Sequence, residues 1–139
     1  MTVLLGIFVM SLFGYTPIAA LAQTIPDHTK FTADRFKCES KELDYKFTEG
    51  RQPGTQEGIM IWERPLLNVS IIALYKSHPH GKEILSLYIN NDKGKVSKVD
   101  GNDKESMMEY DRFRDTYYPV DFRLKINFVF QECKKRKAD

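Results

Sequence analysis

The sequence predicts an α+β domain, an antiparallel sheet packed on a helix and clipped by one disulfide. Three observations carry this expectation. Bulky apolar residues alternate with mostly polar ones over residues 122–130. A turn-forming stretch, Asn90-Asn91-Asp92-Lys93-Gly94, separates two strand-like runs. The chain also holds just two cysteines, Cys38 and Cys133, near the two ends of its folded part.

The length of 139 residues suits one domain. Residues 1–22 stand apart from it. An apolar core at residues 3–13 runs toward Ala20-Leu21-Ala22, small residues of the kind a signal peptidase accepts. Cleavage is therefore expected before Gln23. A membrane anchor is the alternative, but Gly14 and Pro17 break the apolar run and it is short for a span. The expected map is a signal peptide over 1–22 and a single domain with a basic C-terminal tail over 23–139. The mature form then has no membrane span. Secretion permits a disulfide, and two cysteines allow one connectivity, Cys38 with Cys133. Such a bond closes a loop that takes in most of the domain. The chain-entropy account gives it about 4–5 kcal/mol. Two free thiols are the alternative.

Taken in order, residues 23–34 are expected to be a flexible lead-in. Residues 35–40 form a short strand. Leu43, Tyr45 and Phe47 alternate with Asp44, Lys46 and Thr48, which predicts its hairpin partner. Gly50, Pro53, Gly54 and Gly58 mark an exposed loop. Residues 66–75 are apolar almost throughout and follow Pro65. Pro65 suits a first helical turn, whereas Val69, Ile71 and Ile72 suit a strand, so periodicity leaves both open. Ser77-His78-Pro79-His80-Gly81 ends that element. Residues 84–89 and 95–99 form a hairpin. Asp103 can cap a helix over about 104–115, in which Met107, Tyr110 and Arg114 recur at helical spacing. Tyr117-Tyr118-Pro119 stops it. Phe122, Leu124, Ile126, Phe128 and Phe130 then predict a final strand with one apolar face. Lys134, Lys135, Arg136 and Lys137 leave the domain as a charged tail.

No residue pattern specifies a reaction. His78 and His80 sit one residue apart, as a metal or acid–base pair could, but a solvated turn accounts for them better. A ribonuclease site could be assembled from Glu83 with His80, supported by Lys82 or Arg123. The four-cation tail could meet phosphates, an anionic membrane surface or an import receptor, or simply solubilise the terminus. A net charge of only +2 argues against strong non-specific nucleic-acid binding. Asn68-Val69-Ser70 is a glycosylation sequon inside the most apolar stretch. A buried Asn68 would leave it unused. No metal-ligand set or cofactor motif is present.

Phe36-Lys37-Cys38 soon after a signal peptide, a short chain, and a lone C-terminal cysteine in Phe130-Gln131-Glu132-Cys133 make a recognisable layout. It resembles the secreted effector candidates of powdery-mildew fungi that carry a Tyr/Phe/Trp-x-Cys motif, many of them RNase-like proteins associated with haustoria. The resemblance implies a fold similar to guanyl-specific fungal ribonucleases, with an N-terminal hairpin, one helix, and an antiparallel sheet packed on it. Residues 85–96 look like the central hairpin of that fold. Two departures stand out. The stretch over residues 49–64 is long. Val99-Asp100-Gly101 stands where active ribonucleases carry an acid histidine. The implied protein is a catalytically inactive scaffold, with no catalytic residue assigned. It would be secreted, and could be translocated into a host cell. As a monomer it would bind host protein or host RNA and could meet a plant immune receptor. His80, Arg123 and Lys134 to Lys137 are the candidate contacts. An active secreted ribonuclease, or a small secreted inhibitor or binding domain of another fold, are the alternatives.

Overall fold

The computed structural model describes residues 26–138. The expected signal peptide, residues 1–22, lies outside that range. Six strands come first: β1 (Ala33–Ser40), β2 (Tyr45–Arg51), β3 (Glu57–Arg64), β4 (Val69–His78), β5 (Gly81–Asn90) and β6 (Val96–Lys98). Two helices follow, α1 (Lys104–Tyr117) and α2 (Val120–Ala138). Each strand pairs antiparallel with its sequence neighbours, so the sheet is a six-stranded meander. The α+β class, the antiparallel sheet and the single disulfide all match the expectation.

The turns follow from local chemistry. Ser40 Oγ accepts from the Leu43 amide, and Asp44 closes the β1–β2 turn at φ 56°. Asn91 Oδ1 accepts from the amides of Lys93 and Lys95, fixing the β5–β6 turn. Asp103 caps α1 by accepting from the Glu105 amide, and Tyr118 ends it.

The sheet buries apolar residues on both faces. One face carries Phe47, Trp62, Ile71 and Ile89, which meet Phe113, Phe122, Ile126 and Cys133 of the helices. The other carries Ile59, Ile61 and Ile72, against which Phe31 packs. This settles residues 66–75. They hold a central strand, β4, apolar on both faces, and Pro65 opens a turn rather than a helix. Phe31 also corrects the expected lead-in, because the chain is already packed there. Gly50 permits that packing, since a Cβ at this position would overlap the Phe31 carbonyl.

The largest correction concerns residues 122–130. They belong to α2, not to a strand. Phe122, Ile126, Val129 and Cys133 recur at 4, 3 and 4 residues and face the sheet. Val120, Leu124 and Phe128 recur every fourth residue on the outer side, where Leu124 and Phe128 are about two-thirds exposed. A helix apolar on two sides reads as alternation when scored every second residue. The basic tail is corrected with it: Lys134 to Lys137 form the last helical turns. There cations complement the carbonyl end of the dipole. The clip accordingly joins β1 to a helix, not to a last strand. No described helix lies between the first hairpin and the rest of the sheet.

Cys38 and Cys133 are bonded, with Cα atoms 5.8 Å apart and 95 residues between them in sequence. Cys38→Ser should lower stability by up to about 4–5 kcal/mol and leave Cys133 free, measured by chemical denaturation and thiol labelling. Burial pushes the hydroxyls of Tyr45, Tyr75 and Tyr118 above the usual tyrosine range. Their folded pKa values exceed the unfolded one, so their contribution is complete at neutral pH and is lost as pH rises above about 10. Absorbance of tyrosinate should show these three ionising together with alkaline unfolding, not before it.

Candidate ligand-binding cleft

Register places three rows of side chains across the helix-facing side of the sheet. Phe47, Trp62, Ile71 and Ile89 form one row, and Glu49, Met60, Ala73 and Leu87 the next. Gly58, Tyr75 and Ile84 form a third. The helices cross over these rows, but contact is uneven. Phe122 packs on Tyr45 and Tyr118 at one end of α2, and Phe130 packs on Phe36 and Phe47 toward the other. Between these contacts lies a cleft of two adjoining cavities. One, of about 290 Å³, is floored by Phe47, Glu49 and Met60. The other, of about 500 Å³, is walled by Ile71, Ala73, Ile84 and Leu87 with Tyr110 from α1. Trp62, Arg123 and Ile126 line both.

The charged groups of the cleft differ in how they are satisfied. Arg114 is held by Asp115 at 3.3 Å and Asp111 at 3.6 Å. Lys82 pairs with Glu49 at 3.5 Å. Glu49 also accepts from the Tyr75 hydroxyl at 2.6 Å. Burial first, and then this hydrogen bond, keeps Tyr75 protonated. Arg123 stands apart. Its Nε is buried without a hydrogen-bond partner, and its guanidinium makes no ion pair with any described residue.

The candidate residues taken from the sequence do not form one site. Arg123 is in the cleft. His80 is exposed in the β4–β5 turn, two residues from Lys82 on the cleft wall. Glu83 pairs with His78 at 2.7 Å rather than with His80. Lys82 and Glu83 are consecutive on a strand and point to opposite faces. The acid–base set of Glu83, His80 and Lys82 or Arg123 is thus divided by the sheet. Lys134 lies 5.2 Å from the Phe130 ring centre, and Lys137 lies 5.0 Å from that of Phe36, so both sit on the aromatic end of the core. Lys135 pairs with Glu132, and Arg136 donates to Cys133 Sγ. Asn68 is exposed in the β3–β4 turn at φ 56°, so the burial that would leave its sequon unused is not present at Asn68, although its sequon partner Ser70 is buried.

Trp62 and Glu49 were not singled out in the sequence. Their signal was available in part: β3 alternates Met60 and Trp62 with Ile59 and Ile61, but both sets are apolar. Among the described residues no three His, Cys, Asp or Glu side chains gather as a metal site would require. No described helix is long and apolar enough to cross a membrane.

The cleft wall depends on Gly58, where a Cβ would overlap the Tyr75 ring. Gly58→Ala should displace that ring and its bond to Glu49, at a cost of about 1–3 kcal/mol by chemical denaturation.

No family model matches the chain, and no curated protein or solved structure matches it either.

Proposed function

We propose that the protein is a non-catalytic binding module, a secreted effector of the powdery-mildew type that acts on host protein or RNA. One observation carries the binding reading: a cleft between sheet and helices whose one unneutralised guanidinium, Arg123, sits among Trp62, Ile126 and other apolar walls. Binding sites have this form, mostly apolar with a few placed polar groups. The secreted and effector parts rest on the apolar N-terminus, Phe36-Lys37-Cys38 and the final cysteine.

Ribonuclease catalysis needs a base, an acid and a cation converging on one phosphate. Here His78 and Glu83 pair with each other, His80 is in a turn, and Arg123 lies in the cleft. That separation favours binding over cleavage. The narrower idea of a guanyl-specific ribonuclease scaffold rests on the sequence layout. The order of elements, with both helices after the sheet, weighs against it.

The purified secreted protein should begin at Gln23 by N-terminal sequencing and should not cleave total RNA at high protein concentration. Cleavage that disappears in both His78→Ala and His80→Ala would overturn the non-catalytic reading.

A further inference from the structure

The cleft has a definite charge and shape, and these select among ligands. Its charged groups nearly cancel: Arg114 is neutralised by Asp111 and Asp115, and Lys82 by Glu49. Arg123 remains as a single fork of donors with a buried, unpartnered Nε. A guanidinium fork matches a planar carboxylate through two parallel hydrogen bonds. A nucleic-acid strand, which brings a phosphate at every nucleotide, would need a run of free cations. The remaining walls, Trp62, Ile71, Ala73, Leu87 and Ile126, are apolar, and the larger cavity of about 500 Å³ falls in the range of small-molecule sites.

Resting on the binding-module reading, we infer that this cleft takes a small amphipathic carboxylate. Its apolar body would lie against Trp62 and Leu87, and its carboxylate would meet Arg123. The Arg123 guanidinium lines both cavities and makes no ion pair with a described residue, and a carboxylate in the cleft supplies that partner. Water can also solvate the guanidinium but leaves the apolar walls wet. An amphipathic anion satisfies both surfaces at once.

Trp62 is the chain's one tryptophan and lines both cavities, so its fluorescence reports the site directly. The test titrates the intact disulfide-bonded protein with decanoate, decanol and decyltrimethylammonium, following Trp62 emission. Decanoate should give a saturable change with affinity at least tenfold above decanol, and the cation should give none. Arg123→Gln should remove the preference for decanoate, and Arg123→Lys, which keeps charge without the fork, should fall between. Ala73→Phe should block all three ligands by filling the cavity. If that variant does not fold, Arg123→Gln, at a half-exposed helical position, still decides. Equal binding of decanoate and decanol, no saturable response, or an unchanged preference in Arg123→Gln would each overturn the inference while leaving a protein-binding role intact. So would a single-stranded oligonucleotide that needs Arg123 and outcompetes decanoate. RNA cleavage, assayed separately, is the result that would remove the binding-module reading itself.

Discussion

The fold depends on holding α2 against a sheet that would otherwise show its aromatic face to water. Phe36 and Phe47 of the strands pack against Phe130 of α2. Burying an aromatic side chain of this kind stabilises by roughly 1.5–3 kcal/mol, so the docked helix supplies much of the core. Two pins keep it there. At the far end the Cys38–Cys133 bond fixes α2 to β1. At the near end Arg64 lies over the Phe122 ring, pairs with Asp44, and donates to the Tyr117 carbonyl at 2.9 Å. The Tyr118 hydroxyl adds a bond of 2.8 Å to the Trp62 carbonyl. These contacts tie the β1–β2 turn, the end of β3 and the junction of the helices into one node.

A helix pinned at both ends need not touch the sheet along its whole length. Its middle bridges the rows of Trp62 and Met60, and the space beneath becomes the cleft. The site and the staple are therefore parts of one arrangement. The disulfide lies beyond the Phe130 end of the cleft, and neither cysteine lines it. The cations Lys134 and Lys137 belong to the same end of the structure, where they cover the Phe36 and Phe130 rings. Cation–π contacts at such exposed positions are worth roughly 0.5–1 kcal/mol each.

Much of this was legible in the sequence, and the gaps have physical causes. The hairpins showed through their Asn, Asp and Ser turn chemistry, and α1 through its Asp103 cap. The disulfide showed through a count of two cysteines. Residues 122–130 misled because α2 is apolar both where it docks and along Val120, Leu124 and Phe128, so two periods fit the same letters. β4 gave no period because the sheet is apolar on both faces at its centre. Asn68 sits within an apolar stretch of sequence, which left its burial open, and it takes the left-handed backbone of an exposed turn, which asparagine tolerates. Arg123 was visible as a cation, but not as an unpaired one. That property depends on which partners the neighbouring cations Arg114 and Lys82 have already taken.

The meander gives the chain a simple order of assembly. Every strand pairs only with the strand before and after it, so each closure joins neighbouring segments at little loop-entropy cost. The one long closure is that of α2 on β1, which brings Cys133 to Cys38 across 95 residues. With no third cysteine in the sequence, neither thiol has a wrong partner within the chain at any stage of that closure. The covalent bond thus ties the first strand to the last helix, so a single link holds the two ends of the described fold together.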